Sequence, residues 1–407
     1  MHHHVEPTLA SAPSGPGRPA PSGSAAACLE TAERLATIDL AATRHNIASV
    51  ARRVHPAAVM AVVKANAYGH GALQVAEAAL EAGATWLGTA HVSEALALRE
   101  AGFTAPILAW LHTPGAAFAA AIEAGVDLGV SGWELEPIIE AAAAAGATAR
   151  VHLKIDTGLG RNGSPAHLWP SLLQRAKVAQ DAGHLDVVGI FSHFAVADER
   201  ERPETQEQLD NFAVALEQVS AAGLTPSVRH IANSPGLLSL PAARFDLVRC
   251  GLAMHGLSPF EDAPGSEWDL RPVMRLSTRV AAAKRVPAGQ GVSYGLRWNS
   301  ERETVLGLIP LGYADGIPRV AVDGPVQING VVYPSIGRVA MDQFVVDLGP
   351  SADPEAMVGA EAVLFGGEGE PAVEDWALAS GTLNYEIVTR ISERVPRRWI
   401  NTEGEGA

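Results

Sequence analysis

Six polar or charged residues stand at or just past the ends of short apolar runs along this chain: Lys64, Ser131, Arg161 (just past its run), His193, Ser234 and Arg249. Packing alone calls for apolar residues there, so the repetition points to a common mouth where these side chains converge on a ligand. Lys64 ends Met60-Ala61-Val62-Val63. A lysine in that position has two readings. It can snorkel to the surface along its own stem. Alternatively its amine is desolvated, its pKa falls, and it becomes a nucleophile able to form a Schiff base. Residue type and position do not choose between them. Taken singly, Ser131 reads as a helix cap for the segment from Trp133 and receives no role. His193 alone fits a satisfied core histidine, and Arg249 a strand-end ion pair.

The elements that must position these residues are legible as a pattern. Eight short apolar runs recur: Val59–Lys64, Trp86–Ala90, Pro106–Leu111, Asp127–Ser131, Arg150–Asp156, Val187–His193, Val228–Ser234 and Asp246–Gly251. Ala-rich stretches of helical period lie between most of them, among them Leu73–Ala82, Val92–Ala101, Trp133–Ala145 and Glu204–Ala222. Strands alternating with helices imply a parallel sheet. Eight units fit an α/β fold of the (β/α)8 TIM-barrel type over residues 35–271, with chemistry at the C-terminal strand ends. An open doubly wound sheet is the alternative. From Arg271 turn signals multiply, and Asn329-Gly330 between apolar runs marks a hairpin. Residues 272–402 therefore read as a mostly β C-terminal domain with one helix near Glu374–Ala379. Residues 1–34 and 403–407 read as tails, and the strand 36–40 could join either domain.

Composition narrows the function. Lys plus Arg is 30 and Asp plus Glu 45, a net charge of −15, which argues against nucleic acid and gives no reason to sit on an anionic membrane. No apolar run reaches the roughly 20 residues of a spanning helix, and the N-terminus lacks a signal peptide. Two distant cysteines, Cys28 and Cys250, give neither a disulfide framework nor a metal site. A cytoplasmic setting is expected. Gly158-Leu159-Gly160-Arg161-Asn162-Gly163 satisfies the dinucleotide pattern G-x-G-x-x-G, yet it does not open into a helix, and Pro165 starts the next one beyond it. NAD is therefore rejected.

Ala61-Val62-Val63-Lys64-Ala65-Asn66-Ala67-Tyr68-Gly69-His70-Gly71 resembles the pyridoxal-phosphate attachment signature of alanine racemases. Further segments are similar to that family in order: Asp156–Gly163, Ser192-His193-Phe194, Ala232-Asn233-Ser234, Arg249-Cys250-Gly251-Leu252, Ser293-Tyr294-Gly295, Gly337–Asp342 and Asn384-Tyr385-Glu386. They run from about Ile38 to Ile400. The family's fold, a barrel followed by a β domain, agrees with the pattern above.

The resemblance implies a pyridoxal 5'-phosphate-dependent isomerase that interconverts L- and D-alanine and supplies D-alanine for peptidoglycan. Lys64 would carry the cofactor and act as the base toward D-alanine. Racemisation needs a second base on the opposite face of Cα, and Tyr294 matches it, contributed by the partner subunit of a homodimer with shared sites. On its own Tyr294 reads as an ordinary strand aromatic. A phenol near its reference pKa of about 10 is a poor base at neutral pH, so a neighbour must lower it; an imidazole or an arginine would serve, and the sequence does not identify which. Arg249 matches the arginine facing the pyridine nitrogen. It stays protonated and keeps that nitrogen unprotonated, which favours racemisation over transamination.

Ser234, Gly251, Leu252, Tyr68 and Tyr385 match the phosphate contacts, Asn233 orients their loop, and His193 holds the ring. Arg161 and the N–H of Met341 match the carboxylate contacts, with Met341 again from the partner. Lys154 aligns with a lysine that some members carry as a carbamate, and Tyr313 and Arg338 match the entrance. Three departures stand out: Ala340 where cysteine is frequent, His255 where tyrosine is usual, and Leu159 in place of a common methionine. Broad-specificity or serine racemisation is the near alternative. A barrel-type decarboxylase is more distant, because residues 272–402 contain no cysteine. A cofactor carrier would lack the β domain.

Overall fold

A computed structural model of the chain describes residues 33–403. The tails assigned to 1–34 and 403–407 lie outside the described residues, apart from Glu33, Arg34 and Glu403, as does Cys28. Arg34 already opens a strand, β1 (Arg34–Asp39).

Eight strands follow: β2 (Ala58–Val62), β3 (Trp86–Thr89), β4 (Ile107–Ala109), β5 (Asp127–Val130), β6 (Ala149–Lys154), β7 (Leu185–Phe191), β8 (Val228–His230) and β9 (Leu247–Cys250). All neighbouring pairs are parallel, in the order β8-β7-β6-β5-β4-β3-β2-β9. The ends of that order meet as well. Arg249 N–H donates to Ala232 O at 3.0 Å and Asp246 N–H to Arg229 O at 3.2 Å, bringing the eight strands into a ring. Around it lie α1 (Leu40–Val54), α2 (Ala72–Glu81), α3 (Val92–Glu100), α4 (Phe118–Glu123), α5 (Leu135–Ala145), α6 (Trp169–Asp181), α7 (Glu204–Ala221) and α8 (Ser234–Ser239). Their buried faces pack on the outer side chains of the strands, as Ile47, Val50 and Val54 of α1 do. Inside the ring Met60, Val62, Leu108 and Leu247 form a separate small cluster against Trp86, Trp110 and Tyr68.

Ten more strands follow: β10 (Met274–Arg279), β11 (Ala282–Val286), β12 (Gly291–Val292), β13 (Trp298–Asn299), β14 (Thr304–Ile309), β15 (Pro325–Ile328), β16 (Val331–Ile336), β17 (Phe344–Gly349), β18 (Glu361–Phe365) and β19 (Arg397–Ile400). β12 and β13 pair as a separate hairpin. The other eight join β1 in one sheet, ordered β11-β14-β17-β16-β15-β18-β10-β1-β19. β1 therefore belongs to this sheet, antiparallel to β10 and parallel to β19. The Asn-Gly turn sits where the sequence places it. Ile328 pairs with Val331, and Asn329 and Gly330 take φ of 51° and 78°, as a type I′ hairpin requires.

The single helix expected in this half is joined by two more. α9 (Pro354–Met357), α10 (Val373–Ser380) and α11 (Asn384–Arg390) are all helical. The segment of α11 carries a site motif, and at seven residues it is too short for its periodicity to stand out.

Candidate active site

Lys64 follows β2 at the C-terminal end of the ring, and the chain then does something costly. Ala65, Asn66, Ala67 and Tyr68 adopt φ of 52°, 53°, 51° and 54°, a left-handed turn. Each such residue costs about 1–2 kcal/mol relative to right-handed backbone. Surrounding groups hold it. Ala65 N–H donates to Glu94 Oε1 at 2.6 Å, and Ala67 N–H to Val63 O at 2.8 Å. Asn66 Oδ1 accepts from Ala72 N–H at 2.8 Å, capping α2. Glu94 also accepts from Ala90 and His91 N–H, which ties the turn to the start of α3. The turn thus aims Lys64 into a cavity of about 1000 Å³ at the barrel mouth.

That cavity is lined by Lys64, Tyr68, Lys154, Arg161, His193, Asn233, Ser234, Arg249, Gly251, Leu252 and Tyr385. The structure therefore brings together every sequence-derived site residue from the barrel, plus Tyr385 from α11. Burial lowers the Lys64 pKa, with Arg161 and Arg249 adding to the shift against Glu94. Lys154 is buried and falls to about 7, first by desolvation and then by Arg249 and Arg161. His193 is held well below its usual value by burial and by the same cations. Burial raises the Tyr68 and Tyr385 phenols. A Cβ at Gly251 would collide with the Tyr68 hydroxyl unless that ring shifted. Ser234 Oγ accepts from Gly251 N–H at 3.3 Å and from Ala253 N–H at 3.2 Å, leaving its own proton to donate. Asn233 caps α8 through Gly236 N–H at 3.2 Å.

Arg249 is buried without a carboxylate. Nη1 donates to His230 Nδ1 at 3.0 Å, and Nη2 faces Ser192 O, His193 Nδ1 and Ile231 O at 2.8–3.1 Å. Its Nε–H and second Nη1–H have no protein acceptor among the described residues. Burial lowers its pKa to about 10, so it remains charged at neutral pH.

Two segments depart from the motifs that suggested them. The glycine-rich loop after β6 folds around a carboxylate of its own, with Asp156 accepting from the N–H groups of Gly158, Leu159 and Gly160. It thus offers no pyrophosphate cradle, and α6 starts only at Trp169. Ser131 does not cap a helix. Its hydroxyl donates to buried Glu134 at 2.7 Å, and α5 begins at Leu135.

Tyr294, Tyr313, Arg338 and Met341 do not line this cavity. Tyr294 sits in the β12–β13 hairpin and is 68% exposed, and Met341 is 53% exposed. Met341 N–H has no acceptor among the described residues. Sequence reading missed Glu94, Asp127, His152 and His230. The two histidines lie inside runs read as apolar. Their signal was present in β6, where His152 and Lys154 alternate on one face.

Comparison with known proteins decides the family. The model of the alanine racemase N-terminal domain matches residues 38–259, and that of the C-terminal domain matches residues 273–399. The chain belongs to the alanine racemase family. It is 54% identical over 376 residues to the alanine racemase of Streptomyces coelicolor, covering 90% of this chain and 95% of that one. The alanine racemase of Frankia casuarinae is 52% identical over 370 residues, covering 90% and 96%. The alanine racemase structure from D-cycloserine-producing Streptomyces lavendulae superposes with a TM-score of 0.89 at 51% identity, covering 91% and 97%. An alanine racemase is an isomerase, and the barrel with its β domain is the fold these relatives share.

Proposed function

We propose that this chain interconverts L- and D-alanine with pyridoxal 5'-phosphate held at the barrel mouth, using Lys64 and the partner subunit's Tyr294 as bases on opposite faces of Cα. The observation that carries the reading is the desolvated Lys64 amine in a cavity whose inner wall also holds Lys154, Arg161 and Arg249. Such a wall suits a ligand with a phosphate and a substrate with a carboxylate. The residues present fit the cofactor. Ser234, Tyr68, Tyr385 and the loop at Gly251 and Leu252 supply phosphate donors, and the two unclaimed N–H groups of Arg249 supply donors for a pyridine nitrogen.

Pyridoxal phosphate, when bound, supplies the electron sink that stabilises charge at Cα. The protein supplies everything else. Lys64, its pKa lowered by burial, gives up its proton more readily than an exposed lysine and takes or returns the Cα proton on one face. Arg249 stays charged at neutral pH and would donate to the ring nitrogen, which would keep that nitrogen unprotonated. His193 is neutral and packs beside Arg249. Arg161 and the partner subunit's Met341 N–H hold the substrate carboxylate. The single chain does not place Tyr294 in its own cavity, which supports a head-to-tail homodimer with two shared sites. The reading includes supply of D-alanine for peptidoglycan and a cytoplasmic location. Cys250 is a buried free thiol, and among the described residues no helix is long and apolar enough to cross a membrane.

Borohydride reduction after incubation with pyridoxal phosphate should fix the cofactor on Lys64. Racemisation over a panel of L-amino acids should be fastest with alanine. Label on another lysine, or no preference for alanine, would contradict the reading.

A further inference from the structure

A line of hydrogen bonds leaves Arg249 and crosses the inside of the barrel to its opposite end. His230 Nε2 faces His152 Nδ1 at 2.9 Å, and His152 Nε2 faces Asp127 Oδ2 at 3.2 Å. Asp127 in turn receives Arg150 through Nε at 2.7 Å and Nη2 at 3.2 Å, and Arg150 reaches Asp186 at 3.3 Å. Asp127, His152 and His230 are fully or almost fully buried, while the Arg150 and Asp186 side chains are 42% and 53% exposed.

The protons in this line can be placed by elimination. Arg249 can only donate, so His230 Nδ1 must be a bare acceptor. A neutral His230 then carries its proton on Nε2 and donates to His152 Nδ1. His152 likewise carries its proton on Nε2 and donates to Asp127, which as a carboxylate can only accept. One proton occupies each contact, and every donor points from Arg249 toward Asp127. A second proton on either ring would set two N–H groups face to face. Burial and Arg249 hold His230 well below its usual pKa. Burial opposes ionisation of Asp127, yet its hydrogen bonds from His152 and Arg150 hold its pKa below the usual range. The ring positions are fixed by packing. His230 stacks on Phe191 at 4.9 Å, and a Cβ on Gly189 would occupy the space of the His152 ring.

We propose that Asp127 is a positioning residue for the cofactor site, acting through a proton-ordered His152–His230 pair that keeps a lone pair on His230 for Arg249. This rests on the reading that Arg249 faces the pyridine nitrogen. Arg249 at one end can only donate and Asp127 at the other can only accept, so the two ends together fix the direction of every proton between them, and Arg249 is held with its Nε–H and second Nη1–H unclaimed by the described residues.

The test uses the full chain with 15N-labelled histidine, with and without pyridoxal phosphate. Histidine resonances assigned through His152→Gln and His230→Gln should show both rings neutral and protonated on Nε2 at neutral pH. Asp127→Leu removes the acceptor and should give mixed tautomers and weaken cofactor binding roughly tenfold. Asp127→Asn keeps an acceptor oxygen and should restore both. Arg150→Met leaves Asp127 in place and should leave the tautomers unchanged. Proton on His230 Nδ1 in the unaltered protein overturns the proposal, whether or not any variant folds. Unchanged tautomers and affinity in Asp127→Leu also overturn it. Failure of the unaltered chain to bind pyridoxal phosphate on Lys64 would instead overturn the reading of the site.

Discussion

Single atoms decide much of this site. The Tyr68 hydroxyl occupies the space that a Cβ on Gly251 would take. Gly251→Ala should cost about 1–3 kcal/mol of stability in urea denaturation, as overpacking does. Adding Tyr68→Phe, which removes the offending oxygen, should recover most of that loss. A neutral result for Gly251→Ala alone would mean that the close approach is not real. Lys154 is the second case. Only its neutral amine reacts with carbon dioxide, and its pKa of about 7 makes the neutral form dominant as pH rises above that value. A 13C-bicarbonate carbamate signal should therefore appear above pH 7, fade below it, and be missing in Lys154→Arg. The resulting negative charge would attract Arg161, where an ammonium repels it. A signal that survives in Lys154→Arg would remove the residue from this role.

At the scale of elements, the left-handed turn after Lys64 had no advance signature. Nothing in Ala65-Asn66-Ala67-Tyr68 demands positive φ, and tertiary contacts impose it. Glu94 holds the turn from one side. From the other, Arg397 Nε donates to Gly69 O at 3.1 Å and Trp399 Nε1 to His70 O at 2.8 Å, both from β19. Glu94→Ala releases three backbone N–H groups and should lower stability by about 1–2 kcal/mol and slow borohydride labelling of Lys64. Glu94→Gln, which keeps an oxygen, should recover part of both, and an unchanged labelling rate in Glu94→Ala would rule out the positioning role. The alternating strands and helices of the barrel were legible because each repeats a period over its whole length. Their ends were less so: the run read as Val228–Ser234 is a strand only to His230, and Ser234 opens α8. Arg249, His193 and Lys64 were visible as polar residues after apolar runs. Asp127, His152 and His230 lay inside runs read as strands, and sequence alone does not show which polar residues of separate strands meet inside the barrel.

At the scale of the whole molecule, the first and last strands of the described residues lie in the same sheet. β1 precedes the barrel yet lies between β10 and β19, and Asp39 at its end caps α1 through Ala41 N–H at 2.9 Å. Asn46 of α1 donates to Met254 O at 3.1 Å and to Arg271 O at 2.8 Å, fastening the barrel to the segment that leaves it. The β domain is thus anchored to the barrel that holds Lys64, while its own Tyr294 and Met341 face outward. Under the proposed mechanism a monomer would hold only one of the two bases that racemisation requires. The most direct measurement mixes two inactive variants, Lys64→Ala and Tyr294→Ala, under conditions where subunit exchange is demonstrated. Each mixed dimer then holds one site with both Lys64 and Tyr294 intact and one site with neither, so racemase activity should return to a fraction of the unaltered level. Full subunit exchange with no recovered activity would contradict the shared two-base site.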